Sequence, residues 1–122
     1  MAGLKRIEAW IPGATEQRVQ VAPRRVRIPD ICLPAADKDD VTQHPPLLWI
    51  EILSPEDRWN RMQTRLHDAL AFGVRTIWVI DPYSKEAWIV TSEHGTIPVE
   101  DGTLRCKDPL LEVVLSEILP ED

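Results

Sequence analysis

The sequence lacks the residues that announce several common chemistries. Its 122 residues hold two cysteines, Cys32 and Cys106, too few for a disulfide framework, so a reducing cytoplasm is the expected setting. There are five glycines and they never cluster, so there is neither a glycine-rich phosphate loop nor a Gly-x-Ser-x-Gly nucleophile elbow. The three histidines, His44, His67 and His94, have no ligand spacing, which leaves no zinc motif. Neither Ser54 nor either cysteine has a histidine close in sequence, and nucleophilic catalysis has no support. The longest apolar runs are strand-sized, too short to span a bilayer. No apolar run precedes a small-residue cleavage site at the N-terminus, so no secretory signal is expected. Positive charge is also in deficit: 14 Lys and Arg against 20 Asp and Glu give a net charge of −6. That balance speaks against the basic footprint of non-specific nucleic-acid binding.

What is present is ordinary globular usage, 43% hydrophobic and 28% charged, at a length that suits one domain with one core. The charge is unevenly spread. Residues 1–35 carry six basic and three acidic side chains, and residues 58–75 carry four basic against one acidic. A local positive surface on an acidic protein is one reading of this; solvated strand and helix faces are the other.

Residues 1–17 have little regular pattern. From Arg18 onward the chain reads as a soluble α/β domain on a mostly parallel, mixed sheet. Arg18–Val21 and Arg25–Leu33 alternate as strands, the latter with Val26, Ile28, Asp30 and Cys32 on one side and an edge or bend at Pro29. Residues 34–46 read as an exposed loop. Leu47–Leu53 is apolar on both faces except for Glu51, the pattern of a strand covered on both sides. Ser54, Pro55 and Asp57 supply a helix start. Trp59, Met62, Leu66, Ala69 and Leu70 then fall on one helical face, and Gly73 ends the helix. Thr76–Ile80 is a second buried strand, so strand, helix and strand form a parallel βαβ unit. Asp81–Lys85 turns into an antiparallel strand at Glu86–Val90. Short strands are expected at Ile97–Val99, Leu104 and Leu111–Val114, with a helical turn at Ser116–Leu119. The tryptophans at 49, 59, 78 and 88 sit at core-like positions and read as packing.

Glu51 is the most informative residue. A carboxylate in an apolar strand is costly to bury unless paired or metal-bound, and ligands of open α/β sheets collect at strand carboxyl ends. If Asp30 converges on it from a neighbouring strand, the two need a cation or a proton between them, and hard oxygen ligands of this kind suit Mg²⁺. The alternative is an ion pair between Glu51 and a nearby arginine, with Arg65 the nearest candidate and Asp30 only a turn or edge residue. Arg58, Arg61 and Arg65 share a helical stripe with Arg65 beside the apolar face. Arg65 there suits a phosphate or a developing negative charge and cannot act as a general base. The ordinary reading is a surface arginine row balanced by Asp57 and Asp68.

The segments Arg27–Ile31, Trp49–Asp57, Arg65-Leu66 and Gly73–Pro82, with Asp101–Leu104 and Leu115–Leu119 near the end, resemble the Uma-two family of putative restriction endonucleases. The resemblance runs from about Arg18 to Leu119. It implies the PD-(D/E)xK nuclease fold, a mixed central sheet flanked by helices, with a divalent metal such as Mg²⁺ held by Asp30 and Glu51. Three departures stand out. Leu53 occupies the position where the motif has lysine. The family's lysine has moved to the helix, where this sequence has Arg65. The family's additional N-terminal helix and strands have no counterpart here, so the domain is expected to be N-terminally shortened, with an exposed sheet edge that favours a homodimer.

Two functions follow as expectations. One is a Mg²⁺-dependent endonuclease-like domain acting on DNA, with Asp30 and Glu51 on the metal, Arg65 assisting and Arg58 and Arg61 on backbone phosphates. The other is a catalytically silent member of the same fold that serves as a binding module.

Overall fold

The computed structural model describes residues 18–22, 25–27, 31–33, 41–42, 45–53, 59–107 and 110–119. The first half of the chain contributes β1 (Arg18–Ala22), β2 (Arg25–Arg27), β3 (Ile31–Leu33), β4 (Val41–Thr42) and β5 (Leu48–Ile52). Then come α1 (Trp59–Phe72), β6 (Ile77–Asp81), β7 (Glu86–Thr91), β8 (Gly95–Pro98), β9 (Thr103–Lys107), β10 (Leu110–Val114) and the single turn α2 (Leu115–Ile118). Among the described residues, no helix is long and apolar enough to cross a membrane.

The central sheet has the order β3-β5-β6-β7-β8. β5 and β6 are parallel, with Glu51 opposite Val79, and α1 is the connection between them. The other three pairings, β3–β5, β6–β7 and β7–β8, are antiparallel. The sheet is therefore mixed with a single βαβ unit, and the expectation of a mostly parallel sheet is corrected: only the α1 crossover returns the chain in the same direction.

Period-two alternation sorts the strand residues onto two covered faces. Leu48, Ile50, Ile52, Trp78, Ile80 and Ala87 point to one side, where Leu104, Cys106, Val113, Leu115, Ile118 and Leu119 cover them. The cover is the antiparallel β9–β10 ribbon followed by α2. The Trp78 indole N–H donates to the Arg105 carbonyl at 3.1 Å and ties ribbon to sheet. On the other side Trp49, Ile77, Val79 and Val90 meet Met62, Leu66 and Ala69 of α1. Burying a side chain of this size contributes about 1.5–3 kcal/mol, so both layers are firmly seated.

α1 ends as its sequence predicts. Gly73 has φ +115°, its N–H donates to the Leu70 carbonyl at 3.0 Å, and the Val74 N–H donates to the Ala69 carbonyl at 3.1 Å. This is a Schellman closure, with buried Val74 sealing it against the same apolar cluster as Ala69. The helix start at Ser54, Pro55 and Asp57 lies outside the described residues, as does the Trp59 side chain.

Two further expectations change. Arg25–Leu33 is not one strand: β2 joins β1 and β4 in a separate sheet ordered β2-β1-β4, while β3 joins β5. Pro29, which has no N–H to give a ladder, stands in the sequence between them. Val26 and Cys32 therefore stand in different sheets rather than on one side of a single strand, and Ile28 and Asp30 lie outside the described residues. The segment 34–46 is not wholly loop, because Val41–Thr42 pairs in parallel with Arg18–Val19. A two-residue strand is too short to show alternation.

Candidate active site

Glu51 is 1% exposed, more deeply buried than Asp68 at 7%. β5 places it there for a geometric reason. It shares the helix-facing side with Trp49 and Leu53, and the adjacent position on β6 is Val79. Trp49, Leu53 and Val79 bring no charge to it, so the buried carboxylate needs polar partners. Two are in place. The Trp49 indole N–H donates to Glu51 Oε1 at 2.7 Å. The other oxygen, Oε2, faces Arg65 of α1, whose Nη1 stands 3.7 Å away. Trp49 thus makes a charge-assisted hydrogen bond, while Arg65 acts as a countercharge at a separation too long for a direct hydrogen bond.

Arg65 reaches this position from the border of the buried face of α1, between Met62 and Leu66 on one side and solvent on the other. Its side chain is 28% exposed. The arrangement matches the sequence reading that put its guanidinium toward the sheet. Leu53, at the position two after Glu51, packs with the helix-side apolar cluster, so no cation from β5 itself stands there. The charge beside Glu51 comes from the helix.

The remaining site candidates divide plainly. Asp30 and Arg58 lie outside the described residues. Arg61, one turn before Arg65, is exposed on α1. Asp68 is 7% exposed, which overturns the reading of it as a solvated partner of an arginine row: position 68 falls on the buried side of the helix beside Ala69. His67 and His94 are exposed, and His44 lies outside the described residues. Cys106 is a free thiol buried beneath the ribbon. Trp49 and Trp78 are fully buried, as packing residues should be, but Trp49 also carries a polar duty that the pattern did not reveal. The only available signal was a tryptophan two residues before a buried glutamate on the same strand face.

The resemblance read from the sequence implies a divalent metal, and the donor chemistry can be tested against it. Glu51 supplies a hard anionic oxygen at the helix-facing side of the sheet near the carboxyl end of β5. Among the described residues no group of three or more His, Cys, Asp or Glu side chains converges, so an all-protein cage of the zinc or calcium type is not provided there. Mg²⁺ takes only one or two carboxylates and keeps its waters, and the hard oxygen of Glu51 is a donor of the kind it takes.

A separate cleft of about 580 Å³ lies toward the start of β6 and is lined by Arg75, Thr91, Arg105 and Lys107, among others. It contains neither Glu51 nor Arg65, and Arg105 is already held by Asp101 at 2.7 Å. The polar chemistry inside the sheet layer belongs to Glu51.

Comparison with known proteins places the chain in a family. No curated protein matches the chain. Among solved structures, it resembles the crystal structure of a putative nuclease belonging to DUF820 from Anabaena variabilis ATCC 29413. The two share 17% identity and a TM-score of 0.72, over 91% of this chain and 72% of that one. At that identity the likeness establishes the fold. The family model described as Uma2, putative restriction endonuclease, matches residues 5–120, beginning ahead of Arg18, and the chain belongs to that family.

Proposed function

We propose that the chain is a Mg²⁺-dependent nuclease domain that hydrolyses DNA phosphodiester bonds, with Glu51 at its centre. The observation that carries this reading is the burial of Glu51 on a central strand, on the helix-facing side, with one oxygen bonded to Trp49 and the other facing Arg65. Asp30 enters through the resemblance. The antiparallel β3–β5 ladder pairs Leu33 with Leu48, Cys32 with Trp49 and Ile31 with Ile50. β3 begins one residue after Asp30, which lies outside the described residues and is the second carboxylate that the family resemblance implies. Glu51 and Asp30 would then hold the ion between them. When bound, the metal supplies Lewis acidity and an activated water for attack on phosphorus. Arg65 places a fixed positive charge beside the reacting phosphate, and Arg61, exposed one turn away, is positioned for a backbone phosphate. Leu53 and Val79 keep the sheet side of the site dry.

A second reading has its own support. The direct approach of Arg65 to Glu51 gives the carboxylate a countercharge from within the chain. With leucine at position 53, this suits a catalytically silent domain that keeps the fold as a binding module.

Cleavage of plasmid and linear DNA with Mg²⁺ or Mn²⁺, comparing the chain with Glu51→Ala, separates the two. Metal-dependent cleavage lost in Glu51→Ala supports the nuclease reading. No cleavage, or equal rates in both proteins, supports the silent one.

A further inference from the structure

The two oxygens of Glu51 are not equivalent. Oε1 accepts the Trp49 indole N–H at 2.7 Å, and Oε2 faces Arg65 from the helix. Trp49 is itself fully buried, clamped between the sheet and the residues of α1 that pack on it. Its ring therefore has no room to swing away. An indole N–H donates and cannot accept, and it carries the same proton at every working pH. Such a donor in a packed site selects one orientation of a carboxylate. Trp78 offers the contrast: equally buried, it spends its N–H on the Arg105 carbonyl on the other side of the sheet.

We propose that Trp49 is a positioning residue: its indole N–H occupies Oε1 of Glu51, so that Oε2 alone is presented to a divalent cation, as a single-oxygen ligand. The inference rests on the metal-binding reading above and adds to it the residue that aims the ligand. Outer partners that fix a ligating carboxylate typically control metal affinity by about 10–100-fold.

The test uses the full chain and two probes. Mg²⁺ is titrated into ¹⁵N-labelled protein while the indole N–H signals of its five tryptophans are followed. The Trp49 signal is expected to move saturably and the Trp78 signal to stay. Calorimetric titration with Mn²⁺ then compares the wild-type chain with Trp49→Phe and Trp78→Phe, and with Glu51→Gln as the control that lacks the ligand. Trp49→Phe is expected to weaken Mn²⁺ binding about tenfold or more. Trp78→Phe removes an equally buried indole whose N–H is spent on the other side of the sheet and should leave Mn²⁺ affinity unchanged, whereas a general loss of core packing would weaken both variants alike. Equal Mn²⁺ affinity in wild type and Trp49→Phe overturns the proposal and leaves the metal reading standing. A Trp49 signal unmoved at saturating Mg²⁺ also overturns it, and that measurement needs no variant to fold. A wild-type chain that binds neither ion overturns the metal reading and this proposal together.

Discussion

Arg65 of α1 places its Nη1 3.7 Å from Oε2 of Glu51 on β5, joining the crossover helix to the central sheet through a carboxylate that is 1% exposed. The pair is asymmetric, because Arg65 keeps access to solvent and Glu51 does not. Removing the arginine leaves a buried carboxylate with a weaker countercharge; neutralising the carboxylate leaves an arginine that can hydrate. Arg65→Gln should therefore destabilise by about 1–3 kcal/mol, less than a fully buried broken pair. Glu51→Gln retains a carbonyl for the Trp49 bond and should cost less. In the Glu51→Gln background Arg65→Gln should cost little, and urea denaturation of the four proteins reads the cycle. Equal cost in both backgrounds would show that Arg65 stabilises through its stem rather than its charge.

The closure of α1 makes a sharper backbone prediction. Gly73 has φ +115°, and an added Cβ would sit 3.1 Å from Pro45 Cγ. Gly95 has φ +68° with nothing within 4 Å of a Cβ. Gly73→Ala should cost about 2 kcal/mol or more, because strain and crowding add; Gly95→Ala should stay near about 1 kcal/mol. Thermal unfolding of the two variants decides it, and a Gly95→Ala loss as large as that of Gly73→Ala would contradict the argument.

Asp101 gives a pH test outside the site. Arg105 Nη1 bonds its Oδ2 at 2.7 Å and the Thr103 N–H donates to Oδ1 at 3.2 Å. The Arg105 bond first, and the Thr103 bond after it, hold the carboxyl below its ordinary value. A lowered folded-state value means stability that is fully present above the unfolded aspartate range and is lost as pH falls through the lowered one. Following the Asp101 carboxyl by NMR, its midpoint should lie below that of an unstructured aspartate and rise toward it in Arg105→Gln. The group is exposed, so added salt should narrow the difference. A midpoint unchanged by Arg105→Gln would remove Arg105 as the cause.

The parts of the fold that were legible in the sequence are those with enough residues to show a period. β5 and β6 announce themselves as two-faced apolar runs, and α1 shows Met62, Leu66 and Ala69 on one face with Gly73 at the end. Glu51 stood out because burial conflicts with its charge, and Arg65 because it borders the apolar face. Pro29 marked an edge or bend within Arg25–Leu33, but its division between two sheets was hidden, since three-residue strands such as β2 and β3 carry no register of their own. β4, at two residues, left no trace. The Trp49 bond was hidden for another reason: a tryptophan in a core strand reads as packing, and only its ring orientation shows where the N–H goes. Asp68 was misread because one buried acid on a polar-looking helix stripe gives no sequence signal of its burial.

Arg65 also carries the most direct chemical prediction. Leu53 packs into the helix-side cluster, so β5 brings no amine beside Glu51, and among the described residues the cation placed beside it comes from α1. A guanidinium at that place supplies positive charge and two parallel donors, whereas an ammonium supplies charge and a movable proton donor. In metal-supported DNA cleavage, Arg65→Leu should lower the single-turnover rate by about a hundredfold, since it deletes the charge and leaves much of the apolar stem. Arg65→Lys should keep most of the rate, because charge and reach are largely retained. The comparison is made at saturating Mg²⁺ with folding verified by circular dichroism, so that the loss reports on the reacting phosphate. If Arg65→Leu cleaves as fast as wild type, the arginine is only a structural countercharge for Glu51; if Arg65→Lys falls as far as Arg65→Leu, it is the planar fork rather than the charge that matters.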